Sequence, residues 1–256
     1  MAVGMRAAAQ SAGSSAPPEE TASLRPAPPE ATGDAILAEL VKQNEARGAR
    51  LKQYAEERIY SVASPNGKVH ARVTGRMEYV GPSQKTFVTT SEEGSVLIRR
   101  LALKRLIQHE LSVAAGKEHH DTSIIPDNYT FTLLGQEELG GYTCYVVAAH
   151  PKRLDGYLFE GKIWIDSRQF AIVRIDGHPT KTFSFWITRA DFVRQYEDFG
   201  GLWLPTRDET QVKVRFYGKK IVTIEHHIET VNGVKSAGGA AENPSRAAGE
   251  ENRKFE

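Results

Sequence analysis

Residues Val69–Val80 alternate with period two. Val69, Ala71, Val73, Gly75, Met77 and Tyr79 fall on one side, and His70, Arg72, Thr74, Arg76 and Glu78 on the other. Successive side chains of an extended strand point to opposite faces, so this segment is a strand with one apolar face and one polar face. The same pattern returns in Tyr54–Ser61, Tyr129–Leu134, Tyr142–Ala149, Tyr157–Asp166, Phe170–Asp176, Phe183–Tyr196, Leu202–Val214 and Lys219–Val231. Turn residues separate the strands: Pro65-Asn66-Gly67, Gly140-Gly141, Gly200-Gly201 and Gly218. Long consecutive strands with short connections imply an antiparallel sheet, which leaves one apolar face to be covered.

Two helical segments can supply that cover. Leu37, Leu40, Val41 and Leu51 mark one face of a helix that Thr32 or Asp34 can cap. A second segment runs from Ser95 to about Ala115, with Leu97, Leu101, Ile107 and Leu111 near helical spacing. Its Arg99, Arg100, Lys104 and Arg105 form a basic flank, read as a solvated face. The expected fold is mainly β with two or three helices (α+β): a curved antiparallel incomplete β-barrel whose helices cover the concave face. Residues 34–231 are expected to form a single domain. The flanks 1–33 and 232–256 are rich in small, polar and charged residues and are read as disordered tails.

Charge and motifs narrow the function classes. Lys+Arg 33 against Asp+Glu 32 gives a net charge of +1, so no global field draws the chain to nucleic acid. Cys144 is the single cysteine, which excludes an intrachain disulfide and a cysteine-based zinc cluster. It alternates with Tyr142 and Val146 and reads as a small buried hydrophobe. His226 and His227 are adjacent in a strand and point to opposite faces, and His119-His120-Asp121 falls in a polar loop. Neither group makes a metal site, and no nucleophile–base pair or phosphate-cradling loop occurs. No catalytic residue, metal or cofactor is expected, and the chain is read as a non-enzyme. No apolar stretch is long enough to span a membrane. No signal segment is visible, which leaves a cytoplasmic location open.

The run Tyr157-Leu158-Phe159-Glu160-Gly161-Lys162-Ile163-Trp164-Ile165-Asp166, followed by Phe170-Ala171-Ile172-Val173-Arg174-Ile175, resembles a hairpin of the LolA-like family of outer-membrane lipoprotein-sorting proteins. The Phe183–Tyr196 strand, the Gly200–Pro205 turn and the opening amphipathic helix follow the same order. The resemblance implies an incomplete barrel of about eleven strands with a helical lid over a hydrophobic cavity. It implies a periplasmic, non-enzymatic carrier or chaperone that transports the acyl chains of lipoproteins or lipids; a monomer is expected because the meander needs no partner to be stable. Partners would be a membrane-anchored donor, acceptor or regulator protein, with no nucleic acid. The alternative within the family is an envelope-stress module of the RseB/MucB type that senses lipid or lipoprotein or binds a protein partner. Alternation then nominates the cavity lining: Val69, Val73, Met77, Phe87, Phe131, Leu133, Val146, Ile163 and Ile165 from strands, with Leu97 and Leu101 from the second helix.

Overall fold

The computed structural model describes residues 24–114, 123–181 and 187–236. Helix α1 (Gly33–Arg50) opens the domain, followed by β1 (Gln53–Ala63), β2 (Val69–Val80) and β3 (Gln84–Gly94). A short helix α2 (Val96–Ile98) runs through a π-helical turn, Arg99–Leu103, into α3 (Lys104–Ala114). The remaining strands are β4 (Tyr129–Leu139), β5 (Tyr142–Pro151), β6 (Phe159–Asp166), β7 (Ile172–Pro179), β8 (Ile187–Asp198), β9 (Trp203–Val214), β10 (Gly218–Val231) and β11 (Val234–Lys235). The expected segment Phe183–Trp186 and the His119-His120-Asp121 loop lie outside the described residues.

All pairings are antiparallel, in the order β3-β2-β1-β10-β9-β8-β7-β6-β5-β4, with β11 appended to β10. The sheet is mainly local hairpins, except that β1 pairs with β10 from the far end of the chain. The terminal strands β3 and β4 do not pair with each other, so the barrel is incomplete, as expected from sequence. In the sequence α2 and α3 come between β3 and β4. Residues 24–32, assigned to the tail from composition, run along the edge of β4. Arg25 N–H donates to the Gln136 carbonyl at 2.8 Å, and Gln136 returns the bond at 2.8 Å. Gly135 makes this approach possible, since a Cβ there would stand 2.5 Å from the Arg25 carbonyl oxygen.

Helix α1 is capped by Thr32, whose hydroxyl accepts from Ala35 N–H at 3.2 Å. Asp34 in the first turn and Arg47 and Arg50 in the last complement the helix dipole. Ile36, Leu37 and Leu40 bury against Tyr129, Val147, Ile163, Ile165 and Ile175 on the inner face of β4–β7. Arg47 also donates to the Gln169 carbonyl at 3.0 Å, tying the helix to the β6–β7 hairpin. A second cluster forms under α3, where Leu103 and Ile107 pack on Tyr60, Val62, Ala71, Val73 and Ile224. Two apolar clusters thus stand on the same concave face, each beneath its own helix.

The π turn accounts for a difference from the expected helix face. It adds a residue to the turn and shifts the stripe out of α-helical phase. Ile98, Leu103, Ile107 and Leu111 face the sheet, while Leu97 and Leu101 point to solvent, 65% and 52% exposed.

Candidate ligand-binding concavity

Alternation places Tyr54, Glu56, Arg58, Tyr60 and Val62 of β1 on one face, opposite Tyr79, Met77, Gly75, Val73 and Ala71 of β2. Because Tyr60, Val62, Val73 and Ala71 belong to the cluster under α3, this is the inner face. Glu56 and Arg58 are therefore interior residues, 0% and 3% exposed. His226 is paired with Arg58 from β10, and Asp208 and Arg194 extend the same face across β9 and β8.

These side chains form one continuous ladder across the floor of the concavity. The Arg58 guanidinium donates to Glu56 Oε1 at 3.1 Å through Nε and to the Tyr60 hydroxyl at 3.1 Å, and it reaches Glu110 on α3. The Tyr60 hydroxyl donates to the same Glu110 carboxylate at 3.0 Å. On the other side, His226 Nδ1 meets Glu56 Oε2 at 2.9 Å, and Nε2 meets Asp208 Oδ2 at 3.2 Å. Arg194 pairs with Asp208 through Nε. With carboxylates at both ring nitrogens, His226 donates from both and is an imidazolium. Glu110, Arg58, Glu56, His226, Asp208 and Arg194 thus alternate in sign and balance.

The titration directions follow from this pairing. Burial alone would lower the His226 pKa, but the hydrogen bonds to Asp208 and Glu56 outweigh it and hold it above 6.5. Burial would raise Glu56, but the His226 hydrogen bond and the Arg58 charge hold it below 4.5. Asp208 is lowered in the same way, with burial opposed by His226 and Arg194. The ladder is a set of satisfied ion pairs, with no nucleophile among them. The described residues hold no group of three or more His, Cys, Asp or Glu side chains suited to a metal ion.

Around this floor the inner face remains partly open. Phe87, Phe131, Leu133 and Phe192 pack against the two clusters without being fully covered. A cleft of about 290 Å³ opens between the C-terminal half of α1 and the sheet, lined by Arg47, Leu51, Tyr196 and Leu204 among others. Arg194 lies on the inner face, yet 46% of its side chain is accessible.

Of the nominated lining residues, Val73 and Phe87 lie under α3, and Phe131, Leu133, Ile163 and Ile165 lie under α1. Met77 is fully buried beside them, paired with Glu56 and Phe87. Three positions require correction, along with the two helix residues above. Val69 opens β2 at the hairpin end and is 47% exposed. Val146 sits on the outer face with Cys144, Trp164 and Val173, while its neighbour Val147 faces inward. Both valines are buried, so alternation in β5 does not say which one faces in. Leu97 and Leu101 are displaced by the π turn. The sequence reading missed the charged ladder, although its signal was present: Glu56 and Arg58 share parity with Tyr60 and Val62.

Residues 126–228 match a family of unknown function (DUF5686), which takes in β4 through most of β10. No curated protein matches the sequence. Among solved structures, the chain is similar to a LolA-superfamily protein from Nitrosomonas europaea, at 12% identity, 77% of this chain, 91% of that one and a TM-score of 0.39. It is similar to a domain described as an outer-membrane lipoprotein-sorting protein from Vibrio parahaemolyticus, at 10% identity, covering 81% and 96%, with a TM-score of 0.41. A third similar structure is the MucA/MucB complex of Pseudomonas aeruginosa, at 12% identity, 75% and 94% coverage and a TM-score of 0.29. At these identities and TM-scores, nothing that those proteins bind carries over to this chain.

Proposed function

We propose that the protein is a non-enzymatic carrier of the cell envelope that takes acyl chains of lipids or lipoproteins into its concave face. The observation that carries this reading is the set of incompletely covered apolar side chains, Phe87, Phe131, Leu133 and Phe192, on the inner face of a sheet that does not close. A sheet that leaves its interior unfilled is a site for an apolar ligand. Each methylene moved there from water contributes about 0.8 kcal/mol, without directional demands on the chain. The helices that would have to move, α1 and α3, rest on separate apolar clusters, so one can shift while the other stays seated.

A second reading, a regulatory module that binds a protein partner, is favoured by Val96, Leu97 and Leu101, which are exposed on the solvent side of the α2 segment. No described helix is long and apolar enough to cross a membrane.

Native mass spectrometry of the full chain purified in the presence of membranes, followed by organic extraction, tests the carrier reading. Discrete mass additions that extract as lipid and are lost in Phe192→Asp are expected. Ile163 is unsuited to this test because it is completely buried, and a charge there would unfold the domain. A clean apo mass, together with no uptake of a fluorescent fatty acid, contradicts the carrier reading.

A further inference from the structure

The ladder is balanced, and among the described residues Lys85 is a cation outside it that faces the same concavity without an ion-pair partner. Lys85 lies on β3 opposite Tyr79, two residues from Phe87, and so shares the inner face. It is half-buried, and none of the described side chains forms a hydrogen bond or ion pair with its ammonium. The charges of Arg58 and Arg194 disfavour its protonated form, and those of Glu110 and Glu56 favour it. On the far side of the concavity, Arg194 pairs with Asp208 through Nε while 46% of its side chain is accessible.

Three cations and three carboxylates cancel in the ladder, and Lys85 lies outside that balance. An unpaired ammonium in partly desolvated surroundings is unfavourable, and an anion placed beside it relieves that cost. Burial and the neighbouring Arg58 push the Lys85 pKa down, which is the same imbalance seen in its titration.

We propose that the concavity selects amphiphiles with an anionic head, a carboxylate or a phosphate, held between Lys85 and Arg194 while the acyl chain lies against Phe87 and Phe192. This inference rests on the carrier reading and specifies its ligand. The anion pairs with the Lys85 ammonium, and the Asp208 ion pair holds the guanidinium of Arg194 in place to receive it. A neutral head of equal size would leave Lys85 uncompensated. Charge-assisted hydrogen bonds are about twice as strong as neutral ones, so the head adds selectivity to the non-directional binding of the chain.

The test is competition against a fluorescent fatty acid bound to the full chain. The probes share one chain length: a fatty acid, a lysophosphatidic acid and a monoacylglycerol, with inorganic phosphate as a fourth. The wild type should prefer the two acids over the monoacylglycerol by tenfold or more, and their relative affinity tells which head the site fits. Lys85→Met removes no existing partner and should erase the preference while leaving monoacylglycerol binding unchanged. Lys85→Arg should restore most of it. Equal binding of all three amphiphiles in wild type and Lys85→Met overturns the inference and leaves the carrier reading standing. Failure of any amphiphile to bind overturns both. Binding of inorganic phosphate alone would make this a small-anion site and overturns the amphiphile.

Discussion

Arg58→Met is the substitution to which the ladder gives the sharpest consequence. Methionine fills much of the same volume but removes the guanidinium that reaches Glu56, Tyr60 and Glu110. Glu56 has no exposed surface and would keep only His226 as a counter-charge. Breaking a buried ion pair from one side costs about 3–5 kcal/mol, because the remaining charge is left uncompensated. At about 2–4 °C per kcal/mol for a domain of this size, the midpoint should fall by about 6–20 °C. Thermal and urea unfolding followed by circular dichroism measure this directly. Arg76→Met is the control: Arg76 pairs with Glu78 and Glu229 on the exposed face, where such pairs are worth about 0–1 kcal/mol. Glu56→Gln added to Arg58→Met should recover part of the loss by removing the stranded charge. A cost for Arg58→Met below about 1 kcal/mol, equal to that of Arg76→Met, would refute the reasoning, since water would then be screening the ladder.

Stability should also depend on pH with two limbs. Glu56 and Asp208 titrate below 4.5 and 3.8, so their contribution is present above those values and lost as pH falls through the lowered ones. His226 titrates above 6.5, so its contribution is complete below 6.5 and lost as pH rises through the raised value. The urea midpoint should therefore peak between about pH 4.5 and 6.5, and His226→Gln should flatten the alkaline limb; a steady rise from pH 6 to 9 contradicts this. Burial pushes the Cys144 thiol up to about 12, so iodoacetamide at pH 8 should label it only in denaturant, and rapid labelling of the folded protein would disprove its burial. Leu103→Ala should cost about 2–5 kcal/mol, against within about 0.5 kcal/mol for Leu101→Ala, and the reverse order in urea unfolding would place the helix face wrongly.

Alternation made the strands and most inner-face residues legible in the sequence. Val73, Met77, Ile163 and Ile165 follow from parity alone, because their strands have one apolar and one more polar face. Parity loses its meaning where neighbouring positions on both faces are aliphatic, as at Val146 and Val147. Helical spacing gives way at the π turn, where one added residue shifts Leu97 and Leu101 out of phase with Leu103 and Ile107. The ladder was hidden for a different reason. Glu56, Arg58, Arg194 and Asp208 are residue types that usually face water, and only their parity with Tyr60, Phe192 and Ile224 places them inside. Composition could not reveal the partners that satisfy them, because Glu56 and His226 are brought together by the pairing of β1 with β10.

Whether the concave face holds an acyl chain is decided by mapping where a photoactivatable fatty acid attaches. The full chain would be loaded with the probe, irradiated, digested and sequenced by mass spectrometry. Adducts are expected on inner-face positions around Phe87, Phe131 and Phe192, competed away by unlabelled fatty acid. Adducts confined to the outer-face cluster of Trp164, Val146 and Val173, or to the exposed Leu97 and Leu101, would contradict it.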